Sequence, residues 1–119
     1  MRRLILPLLL LCAGPALAGP LPTKGTPYDQ ARKALAAQGY EPFSPYSSDG
    51  GCSIGREAVC SRFHETLSCS GTGLALCRFL FVKGRNAGFV VTTYGEDDVP
   101  LFRDMKPLSK RDLLSYTSD

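Results

Sequence analysis

The apolar positions of this chain change their period between its two halves. Between Tyr28 and Gly39, the residues Tyr28, Ala31, Ala34 and Leu35 recur at three- and four-residue spacing, with Gln30, Arg32 and Lys33 left for water. That is the stripe of a helix lying on a core. Thr26 is placed to cap it, Pro27 to occupy its first position, Asp29 to sit three residues after the cap, and Gly39 to end it in the left-handed conformation. Later the pattern becomes that of strands. The runs Leu74 to Lys83 and Phe89 to Tyr94 are aromatic, aliphatic and β-branched, and Gly71, Gly73, Gly84, Gly88 and Gly95 punctuate them. They predict a β-hairpin around which the domain is organised. In the first run Ala75, Cys77, Phe79 and Phe81 share one face, and Leu74, Leu76, Leu80 and Val82 share the other with Arg78. Two largely apolar faces predict a central strand, covered by a helix on one side and at least partly by loops or a partner on the other.

Weaker signals surround this frame. Tyr40 to Phe43 reads as a short strand, which Pro42 confines to an edge or end. Ser44 to Gly51 reads as a loop, Ile54 to Phe63 as a helical turn or irregular arm, and His64 to Cys69 as a further strand. Gly95 to Pro100 is an acidic turn and Leu101 to Met105 a short strand. Ser109 is placed to cap a short helix through Tyr116, with Asp112 at its third position. No internal repeat or linker interrupts the chain. The expected fold is α+β: one main N-terminal helix packed on a three- or four-stranded antiparallel sheet, in a single domain over residues 26–119.

The start of the chain changes the picture of where this domain works. Arg2 and Arg3 precede an apolar stretch from Leu4 to Ala13, and Ala16-Leu17-Ala18 precedes Gly19. Residues 1–18 are expected to be a secretory signal peptide cut after Ala18, with residues 19–25, which carry Pro20 and Pro22, as a flexible arm. Leu11 stands before Cys12 where a lipoprotein signal wants a small residue, so general secretion is favoured over lipid anchoring. No later segment approaches the roughly 20 apolar residues of a membrane span. The chain carries 14 basic and 11 acidic residues, and the leader removes two of the basic ones. A near-neutral exported domain argues against nucleic acid as a partner, since phosphate binding draws on clustered cations. Arg103, Lys106, Lys110 and Arg111 form a basic group, but Asp104 and Asp112 are interleaved, the pattern of a solvated mixed face.

Four cysteines remain beyond the leader: Cys52, Cys60, Cys69 and Cys77, with seven, eight and seven residues between them. An even set without C-x-x-C spacing reads as two structural disulfides in a periplasmic or secreted protein. The local pairing, Cys52 with Cys60 and Cys69 with Cys77, is preferred to the nested pairing of Cys52 with Cys77 and Cys60 with Cys69. In the chain-entropy model a loop of about nine residues contributes on the order of 2.5 kcal/mol per bridge.

Two stretches carry a resemblance. Pro27, Ala31, Leu35 and Gly39 followed by Tyr40 resemble the helix-then-strand opening of PASTA-type modules and of β-lactamase-inhibitor-like repeats. Glu65-x-x-x-Cys69-Ser70-Gly71-Thr72-Gly73-x-x-x-Cys77-x-Phe79-x-Phe81, with Gly88 and Thr93-x-Gly95, is similar to small exported proteins of Gram-negative bacteria built from a helix and a disulfide-stapled antiparallel sheet. The resemblance implies fold and compartment and supplies no catalytic residue. The pair Cys52 and Cys60 departs from the simple PASTA pattern.

Candidate chemistry is sparse. His64 is the single histidine, and beside Glu65 it offers an acid or base, but His-Glu-Thr-Leu-Ser lacks the second histidine of a zincin helix. Ser68 and Ser70 flank Cys69 outside any G-x-S-x-G elbow. Glu96, Asp97 and Asp98 lack the ligand spacing of an EF-hand, and Gly71-x-Gly73 lacks the Lys-Ser or Lys-Thr of a phosphate loop. No metal or cofactor is expected. The favoured function is a non-enzymatic binding or inhibitor-like module that presents Phe43, Tyr46, Phe63 and Tyr94 to an envelope or extracellular protein or to a cell-wall component. The alternative is a small secreted hydrolase or toxin-like enzyme using His64 with Glu65 or a nearby serine.

Overall fold

A computed structural model describes residues 20–118, so the expected signal peptide lies outside the described residues. The first helix, α1, runs Tyr28–Ala36. It starts one residue later than the Thr26 cap predicts, because Pro27 occupies the cap position without a side-chain bond. Thr26 is engaged elsewhere: its carbonyl accepts from the Phe102 amide at 2.7 Å, and the Tyr28 amide donates to the Pro100 carbonyl at 2.8 Å. Gly39 closes the helix as expected, at φ +88°, with the Tyr40 amide returning to the Leu35 carbonyl at 3.0 Å. The preceding segment is tied by the Gly25 amide to the Phe102 carbonyl at 2.8 Å, and by Gln38 Nε2 to the Pro20 carbonyl at 3.0 Å.

The sheet is larger than the expected three or four strands, and it is mixed. Its elements in chain order are β1 (Glu41–Pro42), β2 (Gly51–Cys52), the helix α2 (Glu57–Arg62), β3 (Thr66–Cys69), β4 (Cys77–Lys83), β5 (Ala87–Tyr94), β6 (Leu101–Pro107) and the helix α3 (Lys110–Thr117). The order across the sheet is β2-β3-β4-β5-β6, with β1 pairing β4 off that path. All pairs are antiparallel except β2 with β3. The seven-residue β4 outruns its neighbour: Cys77, Arg78 and Phe79 pair with β3, while Phe81 and Val82 pair with β1. The predicted hairpin is β4 and β5, but β4 begins at Cys77 instead of Leu74. Gly73 and Ala75 adopt positive φ, which turns the chain before the strand starts.

Two layers cover the sheet unequally. On one face Cys69, Cys77, Phe79, Phe81, Val91 and Phe102 meet Tyr28, Ala31 and Leu35 of α1, Val59 of α2 and Phe63 at its end. Tyr28 stacks on Phe79 with ring centroids 4.0 Å apart, and meets Phe63 edge-on at 4.8 Å. On the other face Leu67, Leu80 and Val90 are covered by Leu113 of α3, with Phe43, Val82, Leu108 and Tyr116 around them. Ser109 caps α3 as expected, its Oγ accepting from the Asp112 amide at 3.1 Å. The chain joins Cys52 to Cys60 and Cys69 to Cys77, the local pairing. Disulfides are typical of an oxidising compartment, in keeping with an exported protein. Among the described residues no helix is long and apolar enough to cross a membrane.

Candidate functional site

The second face is only half covered, and the uncovered half is polar by register. Strand pairing places Gly51, Ser68, Arg78, Thr92 and Asp104 side by side across β2 to β6. Residues directly opposite share a face, so Ser68, Arg78, Thr92 and Asp104 form one cross-strand row. Lys106 follows on β6, opposite Val90. A shift of register between Thr92 and Thr93 leaves Arg103 without a partner on β5, a bulge of one residue on β6. The bulge lets Phe102 face the α1 side and Asp104, two residues on, face the row.

These side chains line an open groove of about 560 Å³, with Gly50, Gly51 and Ser53 on the β2 side and Arg103 and Lys106 on the β6 side. Arg78 reaches out of the row to Asp49 in an ion pair, and Arg103 Nε lies 3.9 Å from Asp104 Oδ2. Both pairs are solvent-exposed and contribute little to stability. Lys106 makes no ion pair among the described residues. The groove thus presents hydroxyl, guanidinium, ammonium and carboxylate groups on a rigid sheet, with cations exceeding anions.

The opposite face holds the strongest polar contact of the core. Glu65 is 2% exposed, just before β3. Its Oε2 accepts from the Tyr28 hydroxyl at 2.6 Å and from Arg32 Nε at 2.7 Å, and its Oε1 accepts from an Arg32 Nη at 3.2 Å. A buried carboxylate needs such partners. Burial, and after it the Glu65 charge, hold the Tyr28 hydroxyl well above its ordinary pKa, while the hydrogen bond to Glu65 raises that of Arg32. The cluster pins α1 to the chain entering β3. Tyr28 is fully buried, so substrate has no path to its hydroxyl.

The residues singled out by sequence are scattered. Phe63 is buried on the α1 side, whereas Phe43 packs beside α3 on the other face. Tyr46 is 65% exposed, and Tyr94 lies under the Lys24 ammonium, which is 5.8 Å from its ring centroid. The four aromatics do not form one surface. His64 is exposed, with Nε2 3.0 Å from the Ser61 carbonyl oxygen, while its neighbour Glu65 points into the core. No serine hydroxyl is hydrogen-bonded to His64 among the described residues. Ser68 does lie in the groove, and Ser70 lines its rim with its Oγ accepting from the Thr72 amide at 3.2 Å. Sequence reasoning missed Asp49, Thr92 and the Glu65 partners. Arg78 was the available signal, as the one charged residue on an otherwise apolar strand face. Comparison with protein-family models, with curated proteins and with solved structures gave no match for this chain.

Proposed function

We propose that this is an exported, disulfide-stapled binding module whose uncovered sheet face receives a carboxylate-bearing segment of an envelope or extracellular protein. The observation that carries the reading is the Ser68–Arg78–Thr92–Asp104 row inside the groove. A sheet face is normally either apolar and covered or polar and evenly solvated. Here a concave stretch gathers directional donors and acceptors on rigid strands, the arrangement that fixes the orientation of a polar ligand. With Arg78 paired to Asp49 and Arg103 beside Asp104, the excess cation is Lys106, which favours anionic groups and steers their approach. The opposed directions of His64 and Glu65 give the hydrolase alternative no corresponding support.

The test is fluorescence anisotropy of an extended Asp- and Glu-rich peptide against the oxidised full chain. Saturable binding that weakens with salt, is lost in Arg103→Glu/Lys106→Glu and survives in His64→Ala supports the reading. Binding that is absent at low salt, or indifferent to the double charge reversal, refutes it. Both reversed positions are exposed, so the variant retains the fold.

A further inference from the structure

The two disulfides abut. Cys52 and Cys69 are direct partners in the parallel β2–β3 pairing, and the Sγ atoms of Cys52, Cys60 and Cys69 all lie within 4.8 Å of one another. Exposure separates them: Cys52 and Cys60 are half-buried, whereas Cys69 is 3% and Cys77 0% exposed. A solution thiol can reach the first bridge and not the second.

Arg56 spans both bridges. Its carbonyl oxygen is 3.2 Å from Cys52 Sγ, and one Nη is 3.3 Å from Cys77 Sγ while donating to the Gly95 carbonyl at 3.1 Å. The residue is 4% exposed, pairs with no carboxylate among the described residues, and leaves its Nε without a hydrogen bond. Thr93, the β5 partner of Cys77, likewise has a buried hydroxyl with no partner. A buried guanidinium without an anion is costly. The anion that would satisfy it is a thiolate at Cys77, the leaving group when the Cys69–Cys77 bond opens. Stabilising that thiolate makes Cys77 the better leaving sulfur.

We propose that the two bridges form a relay for thiol–disulfide exchange with an external thiol. The incoming thiolate attacks Cys60 Sγ, forms a mixed disulfide there and releases Cys52 as a thiolate. Cys52 attacks Cys69 Sγ across the β2–β3 pair, forming the Cys52–Cys69 bond. The Cys69–Cys77 bond breaks and its electron pair goes to Cys77 Sγ, beside Arg56. One thiolate enters, one emerges, and no oxidant or reductant is consumed. Neighbouring strands about 4.8 Å apart suit the new bond.

The experiment uses the oxidised full chain carrying Cys12→Ser throughout, so that the four bridging cysteines are the only ones present. Limiting glutathione is added under native conditions, the mixture is quenched in acid and alkylated, and peptides are mapped by mass spectrometry. The relay gives glutathione on Cys60, a Cys52–Cys69 linkage and alkylated Cys77, and Arg56→Gln reduces that product about tenfold or more, as loss of a charge-assisted hydrogen bond should. Products that keep Cys69–Cys77 intact, or a distribution unchanged in Arg56→Gln, overturn it. Should Arg56→Gln fail to fold, Cys60→Ser decides: the relay places label on Cys77 with Cys52 bonded to Cys69, in a share that rises with pH. Label on Cys52 alone at every pH refutes it.

Discussion

Removing one oxygen tests whether the buried polar cluster is worth what its geometry implies. Tyr28→Phe keeps the stack on Phe79 and the edge contact with Phe63, and deletes only the 2.6 Å bond to Glu65 Oε2. Hydrogen bonds to charged groups contribute about 1.5–3 kcal/mol. Oε2 retains the Arg32 Nε bond at 2.7 Å, so the carboxylate is not left bare and the lower half of that range applies. Urea unfolding of the oxidised chain should therefore show a loss of about 1.5–2 kcal/mol, a midpoint shift of roughly 1 M at unchanged slope for a domain of this size. A cycle with Glu65→Gln should give a coupling of at least about 0.5 kcal/mol. The pH arm has a definite sign. Because the folded-state pKa of Tyr28 is raised, the hydroxyl stays neutral in the folded chain while the unfolded chain ionises above about pH 10. Its contribution is intact below that pH and is lost as pH rises further, with a slope of up to about 1.4 kcal/mol per unit that Tyr28→Phe removes. A stability change under about 0.5 kcal/mol, together with an unchanged alkaline slope, would refute the reasoning.

Two further substitutions test the covering of the second face. Ser109→Ala removes the side-chain acceptor of the Asp112 amide and should destabilise the chain by about 1 kcal/mol in the same urea assay, with Ser109→Asp restoring most of it. Gly88→Ala places a Cβ 2.6 Å from Leu113 Cδ1, and Leu113 is the buried anchor of α3. Overpacking of this kind costs about 1–3 kcal/mol, and hydrogen exchange should show α3 amides losing protection before those of β4.

What the sequence revealed follows the range of the forces involved. The β4–β5 hairpin, the two-faced character of β4, the Gly39 stop and the Ser109 cap were legible because each is written in neighbouring residues. The two residues of β2 were not, since Gly51 and Cys52 sit in a Ser-, Asp- and Gly-rich stretch and pair only because β3 lies alongside. Arg32, assigned to water by its helical position, reaches a carboxylate 33 residues away. Glu65 looked like a companion of His64, yet adjacent residues here point in opposite directions. The groove shows the same limit. Arg78 was visible as an oddity, but its row partners come from three other strands, and the Arg103 bulge that sets Asp104 in line cannot be read from alternation. The aromatic set divides for a complementary reason: Phe63 packs on the α1 face and Phe43 beside α3, on opposite faces of the sheet.

The same bulge has a consequence for solubility. β6 ends the sheet, and an unpaired strand edge invites another molecule to continue the ladder. Residues 25–27 already occupy the edge at Leu101 and Phe102 through the Gly25 and Thr26 hydrogen bonds and the Pro27 bridge. Beyond them the edge is interrupted by the extra residue at Arg103, bears the charges of Arg103, Asp104 and Lys106, and closes at Pro107, which has no amide hydrogen to offer. Among the described residues the β6 edge therefore offers no run long and regular enough to template a further strand, and the device that aligns the groove also blunts that edge.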